Sequence, residues 1–298
     1  FQIGKTPQVI IRQLPLPTAK RYMSMSVSIS PTRTSPQSSG AFFLKAATRL
    51  WFATALVGQT GFILFILGFY GTRTITGQFS AWNDKPLLTG HVEGDFAGNL
   101  VFAAHVLLAA VMTLSGLIQL IPNIRKSAPR LHRINGRIFL LLAVILAMTG
   151  IWMTWIRGSQ ASFDSAIAVS LNGVLILVFS AFTIRHAVRR RIRDHEIWAL
   201  RLFMVAAGVW FFRVFIMAWS LIGRGMFKAS PDLQPVIDPV LEFGSYMIPL
   251  LLLELWRAAR ASRSGMMKTA VALLILFATG LMATGVFGTI KMMWLPYL

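Results

Sequence analysis

The chain has 298 residues, 55% hydrophobic and only 13% charged, with a mean hydropathy of +0.65, a balance that excludes an ordinary soluble domain and indicates a multi-pass membrane protein. It contains no cysteine, so a disulfide framework, thiol catalysis and a Cys-ligated metal are all excluded. The formal net charge of +19 would suggest nucleic acid in a soluble protein, but here the cations sit in short loops between apolar spans, which argues against a nucleic-acid partner.

Residues 1–46 are polar, basic and rich in Ser, Thr and Pro, and no acid precedes Asp84. Such a segment is expected to be a disordered basic tail. Phe1 is read as a non-native start, with Met23 and Met25 as candidate initiators. The acid-poor leader also resembles a mitochondrial transit peptide, although a disordered cytoplasmic tail is the preferred reading.

Residues 47–298 are expected to form one transmembrane helical domain. Seven apolar spans are predicted near 48–70, 98–121, 137–157, 166–184, 197–222, 239–257 and 269–290. The fold class is therefore all-α, a polytopic transmembrane helix bundle. No Gly-rich phosphate loop, HExxH or GxSxG occurs, and no loop after residue 47 exceeds about thirty residues, which leaves no room for a soluble catalytic domain.

The loops set an expected orientation. Of the 29 Lys/Arg, twenty-one fall in the N-terminal tail and the 122–137, 185–196 and 257–268 segments, whereas six fall on the other side. Cationic loops stay in the cytoplasm, so the N-terminus is expected inside and the C-terminus outside. The expected location is the bacterial inner (plasma) membrane, with the mitochondrial inner membrane as the alternative. The basic face would meet anionic lipid.

Several polar residues lie within the spans. His105 and Gln119 share a face of the second span, because fourteen residues leave them only ~40° apart. For His105 a buried structural histidine and a functional one stand level. Arg201 and Arg213 on the fifth span are spaced by twelve residues, as are Glu242 and Glu254 on the sixth. An antiparallel register predicts the pairs Arg201–Glu254 and Arg213–Glu242. Twelve residues also turn a helix about 120°, so both pairs cannot sit squarely on one contact line. At the cytoplasmic interface, Arg130, His132, Arg133 and Arg137 enter the third span, while His195 and Glu196 open the fifth. Charge orientation with lipid contact is the plainer reading of this group. The sharper one is a pocket for an anionic headgroup, a quinone or heme propionates, formed by Gln119, His132, Arg133, Arg137 and His195.

His105, the run Arg130-Leu131-His132-Arg133-Ile134-Asn135-Gly136-Arg137, the run His195-Glu196-Ile197-Trp198-Ala199-Leu200-Arg201 and the run Val209-Trp210-Phe211-Phe212-Arg213 together resemble the domain of unknown function 2306 family of bacterial multi-pass membrane proteins. The resemblance covers about 98–222, the second to fifth spans, and implies a four-helix core there. No established activity comes with it. In outline, four helices with membrane histidines are similar to b-type cytochromes, a fold-level analogy.

Two classes of function follow. One is a heme b- or quinone-linked electron-transfer membrane protein, with His132 and His195 at equal depth as axial-ligand candidates and His105 without an obvious partner. The other is a non-enzymatic transporter-like protein, or a structural or assembly subunit of a membrane complex binding lipid or an acidic partner. Against transport, the sequence has no inverted repeat and no matched pair of Gly/Pro-broken spans.

Overall fold

The computed structural model describes residues 39–85, 89–159, 162–226 and 228–298. The expected tail lies mostly outside the described residues. All regular structure among the described residues is helical. Seven helices are long and apolar enough to cross a membrane: Ser39–Ile75, Phe96–Gln119, Pro129–Trp155, Phe163–Val188, Gly208–Met226, Pro231–Ala261 and Gly265–Tyr297.

In chain order the α-helices are α1 (Ser39–Phe65), α2 (Thr72–Ile75), α3 (Phe96–Gln119), α4 (Pro122–Ser127), α5 (Pro129–Trp155), α6 (Phe163–Val188), α7 (Ile192–Ala206), α8 (Gly208–Ala218), α9 (Gln234–Ala261) and α10 (Gly265–Gly288). Their starts follow local chemistry. The Asp95, Ser162 and Ser264 side chains accept from the backbone N–H groups of Gly98, Ser165 and Met267, which would otherwise lack partners. Pro122 and Pro129 stand at the first positions of α4 and α5, where the missing N–H costs nothing. Helix α1 begins at Ser39, so residues 39–46, expected within the tail, are helical. Leu44 and Ala47 are buried there against Val271, Ala272 and Ile275 of α10. That burial outweighs the tail-like polarity of the residues before it.

The helices form a closed bundle in which α1 packs on α10 and α3, α3 on α5, α5 on α6, α6 on α7, and α9 on α6, α7, α8 and α10. The second to fourth spans and α7 pack in succession, while α8, the fifth spanning helix, packs on α9 and α10. Trp210 lies against Gly58 of α1, where a Cβ would come within 2.5 Å of Cζ2. Gly285 of α10 sits on the Val214 carbonyl, and Gly208 fits against Asn172 of α6 and Tyr246 of α9. Lipid supplies no hydrophobic drive between helices, so close approach at small residues is how such contacts gain dispersion energy.

Helix α7 and the fifth spanning helix are not one straight helix. Ala207 (φ −80°, ψ 0°) separates α7 from α8. Past α8 the chain continues as a π-helix, Trp219–Met226, and two more π segments, Ile66–Gly71 and Thr289–Trp294, end the first and last spans at the same end of the bundle. This end, away from the basic loops, is termed the distal end. It is closed by the loop before α3. Arg157 binds Asp95 (Nε–Oδ2 3.1 Å), the Gly90 carbonyl (3.1 Å) and Asn99 Oδ1 (2.7 Å), and Asn83 accepts from the Gly90 and His91 N–H groups. The Arg157 side chain is only 7% exposed, so these partners offset its desolvation.

Candidate functional site

At the basic end, α3 and α5 meet through a buried clamp. Ser115 Oγ donates to Asn135 Oδ1 (2.8 Å), and Asn135 Nδ2 donates back to the Ser115 carbonyl (2.8 Å). One turn on, Gln119 Nε2 donates to the His132 carbonyl (2.9 Å) and lies against Gly136, the spot a larger side chain would fill. The run from Arg130 to Arg137 therefore divides by helix face. His132, Asn135, Gly136 and Phe139 turn towards α3, whereas Arg130, Arg133 and Arg137 are exposed.

The run from His195 to Arg201 divides similarly. His195 Nδ1 bonds the Thr183 carbonyl of α6 (3.1 Å), and Trp198 stacks on Phe182 with centroids 4.5 Å apart. Glu196 turns out to Arg125 at 3.6 Å, tying α4 to α7. Arg201 faces α9, where its Nε is 2.7 Å from Glu254 Oε1. Arg257 holds the other carboxylate oxygen at 2.6 Å. His186 sits 3.7 Å from Asp194, too far and too poorly directed for a hydrogen bond.

These contacts sort the expected site residues. Gln119 and His132 touch, and His195 lies within electrostatic reach of His132. His132 Nδ1 is sealed from solvent and has no hydrogen-bond partner among the described residues. Arg133 and Arg137 do not join this group. Nor does His105, fourteen residues from Gln119 along α3, whose Nδ1 is bonded to Thr149 Oγ1 (2.8 Å). The remaining cluster has one donor side chain, fixed by a backbone carbonyl, and two imidazoles. One imidazole is held by its Nδ1 and the other lacks a partner there. It can hydrogen-bond a carbonyl or an anionic oxygen, or ligate a metal centre through a free ring nitrogen.

Arg213 and Glu242, expected to pair, are apart. Glu242 accepts from Ser165, and its charged neighbours are Asp164 and Asp238. Arg213 NH1 donates to the Val209 carbonyl of its own helix (2.9 Å) and faces the Phe62 ring of α1. The Ala207 break and Pro249, which lies between Glu242 and Glu254 inside α9, disturb the single register that the equal spacing assumed.

A groove of about 260 Å³ between α1 and α3 is lined by Phe52, Leu56, Ile63, Leu114 and Leu117 and is almost wholly apolar. It offers a place for an acyl chain but no chemistry.

The ion-pair network closing the distal end was not read from the sequence, since Arg157 and its partners are 58 to 67 residues apart. The Ser115–Asn135 clamp was also missed. Its signal was present: both residues are uncharged polar groups at the same end of adjacent spans.

The family described as "Predicted membrane protein (DUF2306)" matches the chain over residues 102–256. The match extends beyond the fifth span and takes in α9 as far as Trp256, so Glu242 and Glu254 fall within it. No curated protein and no solved structure matches.

Proposed function

The chain belongs to the DUF2306 family of membrane proteins, and we propose that it is a ligand-binding membrane protein with a site at the basic end, between α3, α5 and α7. The observation that carries this reading is the His132 ring: its Nδ1 is buried without a hydrogen-bond partner among the described residues, on a residue whose backbone carbonyl Gln119 holds and which lies within electrostatic reach of His195. A buried polar atom left unpaired costs about 1–3 kcal/mol, and a ligand oxygen would remove that cost. A quinone fits the demand, because its ring is planar and apolar while its carbonyl accepts a hydrogen bond. Electron transfer through a bound quinone is the function this supports.

A heme b at the same place is the second reading. His195 has the orienting contact common to ligating histidines, Nδ1 against a backbone carbonyl, which leaves Nε2 to bind iron. His195 and His132 would be the residues that hold the heme, which would supply one-electron chemistry. In either case the exposed Arg130, Arg133 and Arg137 face anionic lipid rather than the ligand. The cation distribution supports placing this end in the cytoplasm of a bacterium, with the protein in the inner membrane.

The test is absorbance and mass spectrometry of solvent extracts of the purified protein. A co-purifying quinone, or a Soret band, that is retained in His186→Ala and lost in both His132→Ala and His195→Ala supports the site. Absence of any such species from the parent protein, or equal retention in all three variants, overturns it.

A further inference from the structure

The distal half of the bundle holds a second unsatisfied group, of opposite demand. Arg213 is partly buried between α8 and Phe62 of α1, within coulombic reach of Tyr70, Lys85 and His105. Among the described residues no carboxylate lies within ion-pair distance of it. Its contacts are the Val209 carbonyl and the Phe62 ring, 5.4 Å from the guanidinium carbon. Lys85, from the loop before α3, adds a second cation. It is 8% exposed, stands over the Phe65 ring at 4.9 Å and likewise has no ion-pair partner among the described residues. Arg73 is the third cation, over the Phe69 ring at 3.9 Å, and its one acid, Asp84, is exposed at 3.7 Å.

A cation within a membrane span is costly unless an anion or several oxygens meet it. Ring faces and one carbonyl meet only part of Arg213's five donors. The surroundings also provide spare neutral donors. The indole Nε1 groups of Trp82, Trp210 and Trp294, each on a side chain 2% exposed, have no hydrogen-bond partner among the described residues. All three belong to one core cluster with Phe62, Phe65, Phe69 and Tyr70. This region holds donors in excess and is walled by aromatic rings. Two of the three π segments contribute to it: Ile66–Gly71 carries Phe69 and Tyr70, and Thr289–Trp294 carries Trp294. Such irregular turns concentrate at functional sites.

We propose that the distal end binds an anionic amphiphile: Arg213, with Lys85 in electrostatic range of it, receives the carboxylate or phosphate head group. A guanidinium binds either head group through paired N–H donors, and the low-dielectric surroundings strengthen that contact. The site is separate from the one at the basic end and stands or falls without it.

The test is quenching of tryptophan fluorescence in detergent by three brominated probes: a fatty acid, a phosphatidylglycerol and the methyl ester of the same fatty acid. Trp82, Trp210 and Trp294 are three of the chain's nine tryptophans, so occupancy is read as the saturable quenching that the ester does not produce. Saturable quenching by the fatty acid or by phosphatidylglycerol, but not by the ester, supports the site, and the stronger of the two identifies the head group. Arg213→Gln should weaken that binding at least tenfold and Lys85→Gln by a smaller factor. Lys228→Gln, which removes an exposed cation at the same end of the bundle, should leave it unchanged. Circular dichroism of each variant separates loss of fold from loss of site, and Lys85, on a loop, gives a second reading if Arg213→Gln does not fold. The proposal is overturned if the ester quenches as well as the anions, or if neither a folded Arg213→Gln nor Lys85→Gln alters the affinity.

Discussion

Arg201 on α7 and Arg213 on α8 stand twelve residues apart across the break at Ala207, yet among the described residues only Arg201 of the two meets a carboxylate. The break at Ala207 falls between them and re-aims α8, so Arg201 faces α9 while Arg213 faces α1. Two residues of one type, with equivalent sequence surroundings, therefore have different energetics.

The first prediction follows from that asymmetry. Removing Arg201 or Glu254 should destabilise the protein, with a coupling in a double-mutant cycle of about 1–2 kcal/mol, reduced from the fully buried value because the two side chains are 24% and 37% exposed. Arg213→Met should show no coupling to Glu242→Gln and should leave stability unchanged or raise it, since it removes a partly buried cation with no ion-pair partner among the described residues. Thermal unfolding in detergent measures both cycles. Coupling of Arg213 to Glu242 would contradict the geometry.

The second concerns the clamp between α3 and α5. Asn135→Ala takes the Asn135 Nδ2 donor from the buried Ser115 carbonyl, while the Ser115 hydroxyl keeps the Asn135 backbone carbonyl (3.0 Å), and should cost about 1–3 kcal/mol. Ser115→Ala removes only the hydroxyl and should cost about 1 kcal/mol. If the two losses are equal in unfolding experiments, the reciprocal bond is not what joins these helices.

The spans were legible because each is a long apolar run that admits no other structure in lipid. Helix starts at Asp95, Ser162 and Ser264 were legible in principle from capping chemistry. The depth of each polar residue could also be counted from the span ends, and Gln119, His132 and His195 do lie at one end. Direction was harder. Arg133 and Arg137 are at the right depth for the site but on the outward face of α5, which helical periodicity anchored at Asn135 would have shown. The distal cations were illegible for a different reason. Lys85 comes into electrostatic range of Arg213 from a loop that Arg157 ties down at Gly90 and Asp95, and contacts so far apart in sequence leave no local periodicity.

The third prediction is topological. In this cysteine-free chain, Arg190→Cys and Lys228→Cys place single thiols in loops at opposite ends of the bundle. With the basic end in the cytoplasm, an impermeant maleimide added to intact cells should label position 228 and not 190. Labelling at 190 alone would reverse the proposed orientation and move the basic-end site to the other side of the membrane.

The last prediction concerns Lys85 and pH. Burial, and then the nearby Arg213 guanidinium, push its pKa down from 10.5 to about 7. Between pH 7 and 10.5 the unfolded chain holds the proton that the folded protein has released, so stability rises with pH across that window. Below pH 7 both states are protonated and the full penalty of the buried ammonium applies. The total rise is a few kcal/mol at most, because a shift of one unit corresponds to about 1.36 kcal/mol and relaxation of the loop would reduce it. Unfolding temperature in detergent should therefore climb from pH 6 to pH 9, and Lys85→Met should abolish the climb while being the more stable protein at pH 6. Anion binding should run the other way. As Lys85 loses its proton near neutral pH, the proposed distal site keeps Arg213 but loses its second charge, so quenching by the brominated anion should weaken towards pH 9 in the parent and stay flat in Lys85→Met. A stability slope that survives the substitution would place the titrating group elsewhere.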